Sequence, residues 1–434
     1  MSVSKGGFMS EPKIKYKYAG KEILISGKAP KLATEFNCLG SDCPDTCCTG
    51  WNISLDKSTH KKYLNCADQN IQRISKKALK RRKGSEATTQ NFSTISLNDN
   101  GQCVFLDGDR LCKVQKSLGE KFLSKTCNSF PRMVYRATDT EKEIFLGISL
   151  ACPASAKICV SDNSAQDLVS LSEDELMNYF VSDKYPLVNV KSSLPTNFNS
   201  AVRSSVVNIV SDRHFTVFSK YLALDMFFKR LNAVIKDDQI IKSYIDILKV
   251  CQEVKDQLKI QTDIEMSENV LLFKLEHLVA TAAVGNITNR SSVHKFYLYF
   301  KEAITLLNFD PSNINASIDK YKKAQDRFSD FYQSIPYAES NYLVNECSRH
   351  YYENPKIESY LVKLDEIFLR WAIVKFLASA LTLKKEKMNL DTFSTILSST
   401  SRTFDHNVNN SKVIVQKLTE KVGDKTAGFG LLLA

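Results

Sequence analysis

No run of about 18 uncharged apolar residues occurs in the 434 residues, so no membrane-spanning helix is expected. The nearest approach, Ile367 to Leu383, is interrupted by Arg370 and Lys375 and reads as a buried helix. Met1 to Pro12 is polar and lacks the apolar centre of an export signal, so a cytoplasmic location is expected. Met9 offers an alternative start. No G-x-G-x-x-G follows a strand-like stretch and no Walker loop is present, which argues against the usual nucleotide-binding units. Only six histidines occur, none paired at i,i+4, so a helical two-histidine metal motif is absent. No internal repeat is visible.

The bulk composition is that of an ordinary globular chain. The hydrophobic fraction is 43% and the charged fraction 25%. Length alone suggests two or three domains. The net charge of +11 suits either an acidic partner or a plain solvated surface. Its densest stretch, Ile71 to Lys83, carries Arg73, Lys76, Lys77, Lys80, Arg81, Arg82 and Lys83 at helical spacing. That stretch has no interleaved aromatics, so nucleic acid is not an expected partner.

Along the chain the pattern is uneven. Residues 1–35 form an N-terminal segment, with a strand or hairpin over Ile14 to Ser26 around Gly20. Residues 36–160 are cysteine-rich, with short helices, short strands and turns; Ser54 is a plausible helix N-cap there. Residues 161–200, rich in Ser, Asn and Asp and carrying Pro186 and Pro195, read as a linker. Residues 201–400 read as helical, since stripes such as Phe215, Phe218, Leu222, Met226 and Phe227 recur at helical spacing. Residues 401–434 read as a polar tail ending in a small apolar stretch. The expected fold is mainly α, a cysteine-rich metal-binding N-terminal region followed by an α-helical C-terminal domain.

The cysteines carry the chemistry. Twelve are present and ten precede residue 160. In a reducing compartment such clustering points to metal ligands or reactive thiols rather than disulfides. The first cluster is Cys38, Cys43, Cys47 and Cys48, set in a Gly- and Pro-containing turn whose free backbone N–H groups suit sulfur ligands. The second is Cys103, Cys112, Cys127 and Cys152, each in a loop context. Eight thiolates allow two four-ligand sites or one cluster with spare thiols, and both zinc and iron–sulfur suit them. Cys66, Cys159, Cys251 and Cys347 stand in helical or apolar context and read as packed thiols. The radical-type spacing C-x3-C-x2-C is not met, because Cys48 directly follows Cys47.

The run Phe36-Asn37-Cys38 through Cys47-Cys48-Thr49-Gly50-Trp51 resembles the opening of the bacterial flagellin lysine-N-methylases. So, in order, do Cys103-Val104-Phe105-Leu106, Cys112, Cys127 leading to Phe130-Pro131-Arg132, and Leu150-Ala151-Cys152-Pro153. Asn341-Tyr342-Leu343-Val344-Asn345 is similar to a helical motif of the same proteins. Four residues separate Cys38 from Cys43, where the wider family often has two.

The resemblance implies S-adenosylmethionine as methyl donor, flagellin lysines as acceptor, and an iron–sulfur cluster, of 4Fe-4S type, on the cysteines. It also implies action in the cytoplasm before flagellin export, with peripheral membrane association and a homo-oligomer left open. A lysine amine must be neutral to accept a methyl group. Tyr135 and Asp139 are therefore offered as groups acting on the amine, with a structural role as the plainer alternative. Arg132 is offered for the donor's carboxylate, against a structural ion pair. Trp51 is offered to shield the cluster or stack on the donor, against core packing. The competing function is a zinc-structured, non-catalytic protein-binding module.

Overall fold

The computed structural model describes residues 12–18, 21–50, 53–84, 87–136, 143–181, 187–189, 196–236, 244–258, 267–288, 295–353, 357–384, 386–405, 415–416, 420 and 422–433. Two of the candidate residues, Trp51 and Asp139, lie outside these.

The chain opens with strands β1 (Ile14–Tyr18) and β2 (Lys21–Pro30), an antiparallel hairpin closed at Tyr18↔Lys21. In β2, Ile25 and Ala29 are buried while Leu24 faces solvent, the two-residue alternation of a strand with one covered side. Helix α1 (Lys31–Glu35) follows directly.

The cysteine-rich stretch then builds a small subassembly. It holds β3 (Ile53–Leu55), α2 (Lys57–Leu64), α3 (Gln69–Ala78), β4 (Leu79–Arg81) and β5 (Ser93–Ile95), with antiparallel strand order β3-β5-β4. Short helices α4 (Lys113–Leu118) and α5 (Lys125–Ser129) close it. Its own hydrophobic cluster is Ile53, Leu55, Tyr63, Ile71, Ile95, Phe105 and Val114, joined by Cys66 and Cys103.

Two local expectations move here. Ser54 lies inside β3, and the cap of α2 is Asp56, which accepts from Thr59 N at 2.9 Å. The basic run from Ile71 is helical only to Ala78. At Leu79 the backbone turns extended and pairs with β5, so Lys80 and Arg81 belong to a strand.

The chain next returns to the larger sheet through β6 (Arg132–Arg136) and β7 (Glu143–Ile148), and then helix α6 (Pro153–Ser161). Strand β8 (Leu168–Ser170), the single turn α7 (Glu173–Leu176) and strand β9 (Leu187–Asn189) follow. The sheet order is β1-β2-β7-β6-β9, with β8 paired to β2. The reading of residues 161–200 as a linker is therefore corrected: β8 and β9 are members of the sheet. Strands of three residues are too short to carry a legible alternation, and their partners, not their sequence, hold them extended.

The rest is helical: α8 (Thr196–Val210), α9 (Val217–Lys236), α10 (Tyr244–Gln257), α11 (Glu268–Thr288), α12 (Lys295–Leu307), α13 (Asn315–Gln333), α14 (Ala338–Glu353), α15 (Ile357–Leu381), α16 (Leu390–Asp405) and α17 (Lys425–Leu433). The apolar spacing marks the helices, but the buried face of α9 is offset from the expected stripe, since Phe218, Leu222 and Met226 are only partly buried, and Leu248 of α10 is exposed. Tyr221, Leu224, Phe228 and Leu231 of α9 are fully buried, as are Ile247 and Val254 of α10. Among the described residues, no helix is long and apolar enough to cross a membrane.

The helices share one hydrophobic core with the larger sheet, which runs from Ile25, Leu146 and Ile148 through to Phe429 and Leu432. The tail reading of residues 401–434 is thus also corrected. Phe404 closes α16 in the core, and α17 packs Phe429, Leu432 and Leu433. Helix α16 is buried from Phe393 to Phe404 despite its Ser- and Thr-rich sequence. Ser398, Ser399 and Thr403 bond their own helix, donating to Thr395 O, Ile396 O and Ser399 O at 3.1, 3.1 and 2.8 Å. That back-bonding satisfies the hydroxyls without water.

Helix α14 is the seam between sheet and helices. Asn341 donates to Cys159 O and Asp162 O at 2.9 and 2.8 Å, and Asn345 donates to Ile148 O at 3.1 Å. The motif Asn341-Tyr342-Leu343-Val344-Asn345 thereby pins α14 to the end of β7 and to α6. Its next residue, Glu346, is wholly buried and pairs with Arg349 at 2.9 Å and Arg370 at 3.1 Å; both arginines also pair with Asp405. Removing one member strands the other charges away from water. Glu346→Gln is expected to lower stability by about 3 kcal/mol, read from urea unfolding of the purified chain. An unchanged midpoint would show that the network is not the seam's support.

Candidate functional site

The first cysteine loop hangs from α1. Arg132 of β6 donates from Nε to Ala33 O and from Nη2 to Phe36 O, both at 2.7 Å, and its guanidinium lies over the Phe36 ring at 4.9 Å. These bonds satisfy carbonyls at the open end of α1 and fix where the loop departs. Arg132 is thus an anchor of the loop. Gly40 then turns at φ +57°, a conformation that an L side chain resists. Its amide points at Cys38 Sγ, 3.5 Å away. Arg110 donates to Cys43 O at 2.6 Å and ties the loop to the second cluster.

The second cluster is stitched to the first through the backbone. Cys103 N donates to Cys48 O at 2.7 Å, and Gly50 N donates to Gly101 O at 2.9 Å. Cys112 bridges to Leu106 and is the N-cap residue of α4. Cys127 sits in α5, where its amide donates to the buried Ser124 hydroxyl at 3.1 Å. Cys152 is the N-cap residue of α6, with Pro153 following in the first turn. Loop, strand ends and helix starts from five sequence stretches thereby turn toward one region between the two hydrophobic clusters.

The sulfurs feel one another there. Burial pushes up the thiols of Cys43 and Cys112, and raises Cys103 to about 11 and Cys127 and Cys152 to about 12. In all five, the negative charge of a Cys47 thiolate adds to the rise. Cys47 itself is held well above the usual thiol range, first by its hydrogen bond with Cys48 and then by burial. Cys47 is thus the hub of the set. The amides of Val114 and Gln115 pull Cys112 down, and those of Ala154 and Ser155 pull Cys152 down, as helix starts do for an anion. Burial outweighs both. Cys38 stands apart from this gathering: like Cys47 it is exposed, but the contact of its sulfur is Gly40 N rather than another thiol.

All twelve cysteines are free thiols, and Cys66, Cys159, Cys251 and Cys347 are buried in packing positions. The donor chemistry fits a thiolate-bound cation. Six thiols, Cys43, Cys47, Cys103, Cys112, Cys127 and Cys152, are disfavoured as isolated anions and would be favoured by a shared positive centre, and Cys48 is hydrogen-bonded to Cys47. Among the described residues, no three Cys, His, Asp or Glu side chains already close on one point as ligands.

The helical region supplies a residue that the pattern of cysteines could not reveal. Arg402 of α16 is buried and donates to Thr46 O at 3.0 Å, Asp45 O at 3.2 Å and Ala151 O at 3.1 Å. It also pairs with Asp45 Oδ1 at 3.2 Å. Its charge lowers the pKa of Cys43 and Cys47 against the prevailing rise. The other oxygen of this carboxylate, Asp45 Oδ2, is buried without a hydrogen-bond partner among the described residues. Such an orphaned acceptor is costly unless a donor or cation joins it. Tyr299 of α12 feels the same carboxylate: burial raises its hydroxyl pKa, Thr395 opposes, and Asp45 adds to the rise. Tyr63 of α2 lies on the opposite flank, raised by burial and then by Cys127 and Cys112.

The carboxylate beside the thiols is Asp45, which adds to the rise of Cys43, and the tyrosine that feels them is Tyr63, while Tyr299 feels Asp45. Tyr135 is corrected to a core residue. It is fully buried in β6, its hydroxyl donates to Met133 Sδ at 3.4 Å, and its ring fills the space left by the missing side chain of Gly147. A Cβ at Gly147 would lie 2.7 Å from that ring. The signal for Arg402 was faint: one charged residue inside the run Ser398-Ser399-Thr400-Ser401-Arg402-Thr403, with no spacing that relates it to a cysteine.

Arg402→Leu is expected to cost about 3–5 kcal/mol, because it leaves Asp45 buried and uncompensated. It should also loosen the first loop, so that Cys47 and Cys48 react faster with a disulfide reagent while Cys251 and Cys347 do not. Unchanged reactivity at Cys47 would separate Arg402 from the thiol centre.

A family model described as the FliB lysine N-methylase C-terminal domain matches residues 203–431, which include Arg402 and the whole seam helix α14. A lysine-N-methylase of Salmonella typhimurium is 42% identical over 159 residues, 36% of this chain and 37% of that protein. A flagellar biosynthetic protein FliU of Salmonella muenchen is 43% identical over 150 residues, 34% of this chain and 83% of that protein. The matched stretch thus spans little more than a third of the lysine-N-methylase. No solved structure matches the chain.

Proposed function

From the premise that this chain belongs to the FliB lysine N-methylase family, we propose that it methylates lysine side chains of flagellin, with S-adenosylmethionine as donor and a thiolate-held iron–sulfur cluster at its centre. The observation that carries this reading is the gathering of seven thiols around Cys47, closed over by Arg402 from the family's helical domain. The names of the relatives, a lysine-N-methylase and a flagellar biosynthetic protein, point to the acceptor.

Cys47 with Cys43, Cys48, Cys103, Cys112, Cys127 and Cys152 are the residues that would hold the cluster; Cys38 stands apart from them. When bound, the cluster would supply positive charge that keeps the thiolates deprotonated; the same thiolates would also suit zinc, and metal analysis separates the two. Arg402 holds the Asp45 and Thr46 carbonyls, so it sets the shape of the loop rather than touching reactants. Asp45 Oδ2 provides an acceptor for an ammonium or an N–H, whether of donor or acceptor lysine.

The transfer itself is a displacement. The lysine nitrogen forms a bond to the methyl carbon, the carbon–sulfur bond breaks, and its electron pair stays on sulfur as a neutral thioether. The nitrogen must first be neutral, although a free lysine has a pKa of about 10.4. Desolvation in a buried site favours the neutral amine, and a carboxylate beside it can take the departing proton.

The test is direct. Protein purified without oxygen should contain iron and sulfide, absorb broadly near about 400 nm, and transfer label from methyl-labelled donor to flagellin. Cys47→Ser and Cys127→Ser should lose metal and transfer together. A colourless zinc protein without transfer would overturn the reading in favour of a zinc-structured binding module, and full activity in both variants would overturn the ligand assignment.

A further inference from the structure

A second candidate site lies wholly in the helical part. Its cavity, about 190 Å³, is lined from α9, α11, α13, α15 and α17, and every lining residue comes after position 216. The walls are mostly aromatic and aliphatic, with Phe328, Trp371 and Leu432 among them, yet two lysines enter it: Lys274 of α11 and Lys375 of α15.

Two ammonium groups in one apolar cavity are unfavourable unless something offsets them. Burial, with Lys375 adding repulsion, pushes the Lys274 amine down to about 7. Lys375 is also pushed down by burial. Among the described residues Lys375 has no ion pair or side-chain hydrogen bond; the ring of Tyr332 lies 5.6 Å from its nitrogen. Glu339 is the acid it feels, but that carboxylate already receives Lys220 Nζ and the Tyr332 hydroxyl, each at 2.9 Å. The cavity thus combines an apolar body-sized space with a cationic end, the layout of a site for a small amphipathic anion. A cavity of about 150 Å³ accommodates a single benzene ring, so this one has room for a ring and one acid group.

We infer that the cavity between Lys274 and Lys375 binds a small carboxylate with an apolar or aromatic body, its acid group toward the lysines and its body against Phe328, Trp371 and Leu432. This assignment draws on no cysteine and stands whether or not the chain methylates flagellin.

Benzoate and its uncharged isostere benzamide are suitable probes, titrated into the full chain by calorimetry and followed by thermal unfolding. Benzoate should bind and raise the melting temperature, and benzamide should bind at least about tenfold more weakly, since it forgoes the charge pairing. Lys375→Met should weaken benzoate by about tenfold or more, while Lys375→Arg keeps it. Removing a repelling charge should leave the ligand-free variant at least as stable as the parent. Equal binding of the two probes by the parent chain, or no benzoate binding at millimolar concentration, would overturn the inference without any variant. Undiminished benzoate affinity in a folded Lys375→Met chain would overturn it too.

Discussion

One buried guanidinium holds the two halves of this protein to a common purpose. Arg402 reaches from the helical part to Asp45, Thr46 and Ala151, and so joins the loop of the first cysteines to the turn before Cys152. A buried arginine is tolerated only when its donors and its charge are both answered. Here three carbonyls answer the donors and Asp45 answers the charge. If that balance failed, the loop would lose its ceiling, and the thiols gathered beneath would have nothing to keep them in mutual reach.

The same economy appears at the seam. Asn341 and Asn345 fasten α14 to carbonyls at the ends of β7 and α6, and Glu346, Arg349, Arg370 and Asp405 neutralise one another within the helices. Asp405 and Arg402 sit one turn apart on α16, so the charge network and the cysteine loop are braced by the same helix. Because α16 is buried from Phe393 to Phe404, and Ser398, Ser399 and Thr403 bond its own carbonyls, it behaves as a rigid strut rather than a surface helix. A thiol centre needs such a strut: thiolates repel, and only a stiff frame keeps them together until a cation offsets the repulsion.

Much of the fold was legible from residue pattern. The apolar stripe of α15 repeats at helical spacing and is buried as that spacing implies, because a helix can hide only the face on which its apolar residues recur, whereas in α9 the buried face of Tyr221, Leu224, Phe228 and Leu231 lies beside the expected stripe. The hairpin over Ile14 to Ser26 was equally plain. The short strands β8 and β9 were not, since three residues leave no period to detect and their extension is imposed by β2 and β6. The tail reading from residue 401 failed for a related reason: the polar stretch that closes α16 looks solvent-facing, and only bonds such as Thr403 to Ser399 O show why it can be buried.

The sequence by itself determined the chemistry available: eight thiols in turn-rich segments and helices to pack around them. It could not determine which side chains attend those thiols, because proximity between residues 45, 299 and 402 is a property of the folded core and leaves no local spacing behind. Tertiary structure made that choice, placing Asp45, Tyr63 and Arg402 beside the sulfurs, with Tyr299 facing Asp45, and giving Tyr135 a packing contact and Arg132 an anchoring one. It alone also brought Lys274 and Lys375, a hundred residues apart in the chain, into one cavity.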